Sequence, residues 1–239
     1  MQVFLIERVT NQGGWLNADE TRHCRKVLRQ HPGDELHTVD GAGQYYLARI
    51  EAFEGKETRL QVLAQHRDWG EHPGHLCLAV SPLRLRDRFE WIIEKAVELG
   101  ATEIVPLSCA RTDPYKSTFK PERLQGIMLT ALKQCKRSRL PHLHPLTPLA
   151  DWLQRPLTGA GLLAYCEDSL PRRPLSEALA SGTPASLTLL IGPEGDFSPE
   201  EATQAHDAGY QPITLGDNRL RSETAAIHAM SLVKGAWGY

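Results

Sequence analysis

Two stretches near the C-terminus join glycine-bearing loops to helix-opening signals, an arrangement suited to gripping a small ligand by its edges. In the first, the apolar run Leu187-Thr-Leu-Leu-Ile191 passes into Gly192-Pro-Glu-Gly195-Asp-Phe and then Ser198-Pro199-Glu200-Glu201. In order, these residues spell a strand, a tight loop, an N-cap, a proline at the first helical position and a capping-box glutamate. Gly192 and Gly195 let a ligand come close to the main chain at the C-terminal end of a strand, where open α/β sheets bind their ligands. In the second, Pro212-Ile-Thr-Leu215 predicts a strand, Gly216-Asp-Asn-Arg-Leu220-Arg221 a loop, and Ser222-Glu-Thr-Ala the start of an apolar helix running through Ile227, Met230 and Val233.

Neither loop continues into the Gly-Lys-Ser/Thr of a Walker loop, and neither has the Gly-x-Gly-x-x-Gly spacing of dinucleotide sites. A phosphate-bearing cofactor is therefore disfavoured. The loops offer main-chain amide and carbonyl groups that suit the edge of an adenine, with Glu194, Arg221 and Glu223 close in sequence to meet charge. Either loop by itself also suits an ordinary strand-to-helix turn.

Such loops need a sheet behind them, and the residues from 74 onward supply one. Leu76 to Val80, Ile104 to Leu107, Leu162 to Tyr165, Leu187 to Ile191 and Ile213 to Leu215 are short apolar runs. Between them lie amphipathic stretches. Asp87 to Leu99 carries an Asp87-x-x-Glu90 capping box and stops at Gly100, and Glu122 to Arg137 aligns Leu124, Ile127, Met128, Ala131, Leu132 and Cys135 on one face. This alternation predicts an α/β domain with a mostly parallel sheet. The first seventy residues have another rhythm: Val3 to Ile6, Glu35 to Val39, Gln44 to Ile50 and Thr58 to Ala64 favour strands, and Asp40-Gly41-Ala-Gly43 marks a hairpin. Asn17-x-x-Glu20 caps one helix over Ala18 to Gln30, ended by Pro32-Gly33. A small barrel with an inserted helix is the reading, and the turn formers of Trp69-Gly-Glu-His-Pro-Gly74 divide the chain into domains at 1–70 and 74–239.

The net charge of −2 hides an uneven distribution, with 12 Lys or Arg against 7 Asp or Glu over 84–139 and 6 against 11 over 140–239. A basic surface on a near-neutral chain keeps nucleic acid open as a partner. The five cysteines are dispersed, without a Cys-x-x-Cys pair, as expected of free thiols in a reducing compartment. His142-x-His144 would share a strand face, but no third ligand has matching spacing, so no metal is expected. Without a basic-then-apolar leader or a run of membrane-spanning length, the expectation is a cytoplasmic protein with no membrane partner.

The segment Leu190-Ile-Gly-Pro-Glu-Gly-Asp-Phe-Ser198, followed by Leu215-Gly-Asp-Asn-Arg-Leu-Arg-Ser-Glu-Thr-Ala225, resembles the ribosomal RNA small subunit methyltransferase E family of the SPOUT methyltransferases. The likeness extends to Asp87 through Gly100, the Ile104-Val-Pro-Leu107 strand, Arg111, Lys133-Gln-Cys-Lys-Arg-Ser138, and His23 through Arg29 with Gly33-Asp34, covering essentially the whole chain. It implies an N-terminal PUA-like β-barrel that helps to hold RNA and a C-terminal SPOUT trefoil-knot domain with a parallel sheet. It further implies a homodimer, S-adenosyl-L-methionine bent between the knot loops, and methylation of N3 of a uridine in 16S rRNA near the decoding region of the small ribosomal subunit.

Carried over by position, Gly192, Glu194 and Gly195 match one cofactor loop, and Leu215, Gly216, Leu220, Arg221, Glu223 and Thr224 match the other. Ser222 stands where threonine is common, keeping a hydroxyl N-cap, and Asp196 stands where a third glycine often occurs. Uracil N3 is a poor nucleophile until its proton leaves, so the site must favour the anion. Arg221 is the candidate for that electrostatic role, or pairs with a phosphate or Glu223; Glu223 joins it as a catalytic candidate, and the proton acceptor stays open. For RNA phosphates the candidates are Arg22, Arg25 and Arg29 on the first helix, with Lys95, Arg111, Lys116, Lys133, Lys136, Arg137 and Arg139 from the basic middle. Two alternatives share these features: another SPOUT RNA methyltransferase, acting on a ribose 2′-oxygen or on tRNA, and a non-catalytic RNA-binding ribosome assembly factor.

Overall fold

The computed structural model describes residues 1–113, 120–180, 182 and 184–238, so Lys116 lies outside the described residues. The chain forms two compact units, Met1–His72 with Leu129–Leu140, and Pro73–Met128 with Pro141–Tyr239.

In the first unit, β1 (Val3–Leu5), β2 (Arg8–Thr10), β3 (Gly13–Leu16), β4 (Glu35–Val39), β5 (Gln44–Glu54) and β6 (Glu57–Arg67) form one sheet in the order β1-β4-β5-β6-β3-β2. Within it, β1 and β4 run parallel and the other ladders antiparallel. The two ends of that order are consecutive in sequence: Ile6 N donates to Val39 O at 2.9 Å and Glu7 N to Trp15 O at 2.9 Å. A strand that changes partner at this corner curls the sheet around a core of Phe4, Ile6, Leu16, Cys24, Leu36, Tyr46, Ala48, Ile50 and Leu60. The sequence reading missed β2 and β3, whose glycines and polar residues mask their alternation.

The inserted helix is shorter than expected. Asn17 Oδ1 accepts from Asp19 N and Glu20 N, so the cap forms, and α1 covers Ala18–Arg22. Glu20 does not complete the capping box, because its carboxylate is drawn to Lys133. A single π turn, His23–Val27, follows, and Arg29 enters the left-handed region at φ 55°, ending the helix before Gln30. Arg29 therefore does not share a helix with Arg22 and Arg25.

The second unit carries β7 (His75–Val80), α2 (Arg86–Glu98), β8 (Glu103–Ser108), α3 (Pro121–Cys135), β9 (His142–Leu143), β10 (Thr147–Pro148), α4 (Leu149–Leu153), β11 (Ala160–Ala164), β12 (Arg173–Pro174), α5 (Leu175–Ala180), β13 (Ser186–Ile191), α6 (Pro199–Asp207), β14 (Tyr210–Thr214) and α7 (Ser222–Ala236). The strands line up as β10-β8-β7-β13-β11-β14-β12 with β9 also on β8, and every ladder is parallel. Helices cover the sheet, which is why the central strands read as unbroken apolar runs. Two helix starts differ from expectation. Leu85 stands at the N-cap of α2 without a side-chain cap, and Glu90 serves Arg86 and Arg123 instead of a capping box. Arg221, not Ser222, occupies the N-cap of α7. Among the described residues no helix is long and apolar enough to cross a membrane.

The last part of α3 and the residues to Leu140 belong to the first unit. Arg137 is only 4% exposed there, and Glu71 meets it through Oε2, 3.0 Å from Nε and 2.7 Å from Nη2. Glu71 Oε1 accepts from Ser138 N at 2.9 Å and Arg139 N at 2.8 Å. Arg137 is thus a structural cation, correcting its assignment to RNA. Removing one partner of such a pair strands a buried charge. Glu71→Ala should lower unfolding free energy by about 3–5 kcal/mol in urea titrations, whereas loss below about 1 kcal/mol would mean that Arg137 finds solvent.

Candidate functional site

Parallel pairing places Ile191 at the end of β13 level with Val80 of β7 and Ala164 of β11, and Ala164 level with Ile213 of β14. The loops leaving β11, β13 and β14 consequently open at one edge of the sheet. They enclose a cavity of about 1240 Å³, walled by parts of the loop 165–172, by Gly192–Glu194 and Asp196, and by Leu215–Arg221, with Arg88 of α2 and Glu223 of α7.

The loop after β13 is the most tightly tied. A Cβ on Gly192 would lie 3.1 Å from Phe197 N, tight enough to push the returning chain back by a few tenths of an ångström, so glycine suits this close turn. Asp196 takes φ 65°, a left-handed conformation that glycine adopts more readily than other residues. Two bonds offset its strain: Oδ2 accepts from Cys166 N at 2.9 Å and Oδ1 from Phe197 N at 2.8 Å. Phe197 is fully buried in the core beside Tyr165 and Leu190. The capping box opens α6 as the sequence predicts, with Ser198 Oγ accepting from Glu201 N and Glu201 Oε2 from Ser198 N. Glu201 Oε1 also accepts from Ala110 N at 2.7 Å, and Glu194 Oε1 from Arg84 N at 2.9 Å. Arg111 reaches across to Gly195 O at 2.7 Å and Glu167 Oε1 at 3.1 Å.

The loop after β14 is looser. Gly216 has φ 124°, which L side chains rarely adopt, and Asp217, Asn218, Arg219 and Arg221 are exposed. Beyond it Glu223 is held by Arg88, whose Nη1 donates to Oε1 at 2.9 Å. Its other oxygen, Oε2, is shut off from solvent and accepts no hydrogen bond. The loop after β11 is braced by Arg172, which donates to the carbonyls of Tyr165 at 3.0 Å and Cys166 at 2.9 Å and pairs with Asp168. Burial pushes the Tyr165 hydroxyl above its ordinary range.

Of the residues singled out from sequence, Gly192, Glu194, Leu215, Gly216, Leu220, Arg221 and Glu223 line the cavity. Gly195 and Thr224 are exposed and stand off its wall; Gly195 backs onto the aliphatic part of Arg111. Glu223 pairs with Arg88, correcting the alternative that joined it to Arg221. Six proposed RNA cations have carboxylate partners within the chain, Arg139 with Asp68 among them. Arg137 is buried on Glu71, Lys133 is paired with Glu20, Lys95 with Glu94 and Glu98, and Arg111 with Glu167. Exposed guanidinium groups remain at Arg22, Arg25 and Arg29, although Arg22 pairs with Asp19 and Arg25 lies over the Phe53 ring. Sequence reasoning missed the wall from the loop 165–172, which has no glycine signature, and gave Arg88 no role. Among the described residues no cluster of side chains could hold a metal ion.

These loops on a parallel sheet, in a chain that also carries a curled β unit, define a class: residues 70–234 match the RNA methyltransferase domain, and residues 16–62 match the RNA methyltransferase PUA domain. A Synechocystis protein named ribosomal RNA small subunit methyltransferase E is 30% identical over 91% of this chain and 71% of its own length. A probable rRNA-methyltransferase from Porphyromonas gingivalis superposes with a TM-score of 0.88 at 30% identity, covering 100% of this chain and 99% of that one. Ribosomal RNA small subunit methyltransferase E from Neisseria gonorrhoeae, solved bound to S-adenosyl methionine, superposes with a TM-score of 0.80 at 27% identity over 97% and 95%. The chain belongs to the ribosomal RNA small subunit methyltransferase E family.

Burial sets the reactivity of the thiols. Desolvation pushes Cys77 and Cys109 to about 12 and Cys24 to about 11, leaving little thiolate near neutrality. Cys166 is exposed on the cavity wall, its thiol raised first by desolvation and then by Asp196. At pH 8 a maleimide should label Cys166 while Cys24, Cys77 and Cys109 stay unmodified in peptide mass spectra; earlier labelling of Cys77 or Cys109 would contradict this wall.

Proposed function

We propose that this protein transfers a methyl group from S-adenosyl-L-methionine to N3 of a uridine in small-subunit ribosomal RNA. The observation that carries the reading is the cavity at the ends of β11, β13 and β14, on a fold whose Neisseria relative is bound to that cofactor. Binding pockets for drug-sized ligands span roughly 300–1,000 Å³; at about 1240 Å³ this one leaves room for a nucleobase beside the cofactor. The close turn at Gly192, which a Cβ would crowd, and the presence of Glu223 on the cavity wall fit a ligand with a flat edge and donor groups.

Gly192, Glu194, Leu215, Gly216 and Leu220 hold the cofactor largely through main chain, with Gly195 and Thr224 behind them. When bound, the cofactor supplies an electrophilic methyl group on a sulfonium. Arg221, exposed at the rim, stabilises the uracil anion as N3 loses its proton. Residues 1–70 form the RNA-holding domain, with Arg22, Arg25 and Arg29 meeting phosphates, and residues 74–239 form the knotted catalytic domain. The protein works as a homodimer in the cytoplasm, where ribosomal subunits mature.

Incubation with labelled cofactor and small subunits lacking the modification should yield 3-methyluridine in digested 16S rRNA. A 2′-O-methylated nucleoside, or transfer only to tRNA, would replace this reading with that of another RNA methyltransferase. Calorimetry should show Gly192→Ala and Gly216→Ala weakening cofactor binding by about tenfold or more, since one meets backbone and the other strains φ. Gly195→Ala should cost less than about threefold, because the Arg111 side chain can yield.

A further inference from the structure

Five acidic residues line the cavity, and all but one are committed elsewhere or open to water. Asp196 gives both oxygens to backbone amides. Asp168 pairs with Arg172 while 94% exposed, Glu194 caps the amide of Arg84, and Asp217 is exposed. No histidine is among the described lining residues. Glu223 differs in being 9% exposed, with one oxygen fixed by Arg88 and the other buried without a donor. Oε2 has no solvent-exposed surface, so the base reaches it only by displacing what covers it, and a donor there recovers the about 1–3 kcal/mol that an unpaired buried acceptor costs. Taking up a proton there breaks no existing hydrogen bond.

We infer that Glu223 is the proton acceptor for the methylated base and that Arg88 is its positioning residue, an inference that rests on the uridine-N3 reading. The N3–H bond breaks and its proton passes to Glu223 Oε2. The N3 electron pair forms the bond to the methyl carbon, and the carbon–sulfur bond breaks with its pair remaining on sulfur, so that a sulfonium becomes a thioether. The proton leaves Glu223 for water as the product departs, before Oε2 is covered again. Arg88 acts through Glu223 Oε1, keeping the carboxylate turned so that Oε2 stays free. It does so from α2, 135 residues earlier in the chain.

The test uses full-length wild type, Glu223→Gln, Glu223→Ala, Arg88→Ala and Arg88→Lys. The readouts are cofactor affinity by calorimetry, thermal unfolding, and single-turnover methylation of unmodified small subunits between pH 6 and 9. General acid–base catalysis contributes roughly 10²–10⁴-fold, so Glu223→Gln should bind cofactor within about threefold of wild type yet methylate at least about 100-fold more slowly. Its rate should climb with pH as N3 ionises unaided, narrowing the gap to wild type. Arg88→Ala should lower the single-turnover rate with little change in cofactor affinity, and Arg88→Lys should restore part of it. A Glu223→Gln enzyme with wild-type rate and pH profile overturns the inference. So does a loss of rate matched by loss of cofactor binding or of folding in both Glu223 variants. If wild type makes no 3-methyluridine while binding cofactor, the uridine-N3 reading fails instead.

Discussion

The register of β13 is the constraint on which the cavity depends. Because helices cover both faces of a parallel sheet, Leu187 through Ile191 are all buried, and alternation of polar and apolar side chains cannot fix their alignment. Polar ties at the two ends do so. At the start, Ser186 Oγ meets His75 Nδ1 at 3.2 Å and donates to Thr158 O at 3.0 Å. At the finish, Ser81 N donates to Ile191 O at 3.0 Å, and Glu194 caps Arg84 N in the loop beyond β7. A slip of one residue would break all of these and carry Gly192 away from the position where Phe197 N needs room.

From that register follows the uneven stiffness of the walls. The loop after β13 is held by Asp196, Glu194, Glu201 and Arg111, each reaching a main-chain group. Its terminal Phe197 is sunk in the core, so the loop cannot move without opening the packing of α6. The loop after β14 has Thr214 Oγ1 donating to Gly216 O at 2.9 Å, and between the half-buried Leu215 and Leu220 its residues are exposed. One rigid and one yielding wall suit a site that must admit a nucleobase beside a bound cofactor.

Charge serves mainly the architecture. The basic middle of the chain gives Lys95, Arg123, Lys133 and Arg137 to carboxylates. Exposed pairs of this kind contribute roughly 0–1 kcal/mol; the Arg137–Glu71 pair is different, because four hydrogen bonds compensate a nearly dry site. Counting cations along the sequence therefore overstated the surface available to phosphate. A lysine or arginine reads the same whether it faces solvent or a carboxylate distant in the chain.

Signals that act over three or four residues are legible in the amino-acid sequence alone. Asn17 and Ser198 announce their helices, and the apolar runs from Leu76 to Ile213 announce a parallel sheet. The paired Gly-Pro-Glu-Gly and Leu-Arg-Ser-Glu-Thr-Ala segments point to the cavity, because caps, turns and strand periodicity are written locally. Tertiary structure alone decided which strands neighbour β13, that the first sheet turns its corner at Ile6–Glu7, that residues of 165–172 form a wall, and that Glu223 answers to Arg88. Those outcomes depend on contacts between residues many positions apart, fixed by which pairings bury the most surface and leave the fewest polar groups unmet. The two C-terminal loops could be found by inspection of the chain; the carboxylate that Arg88 holds beside them could not.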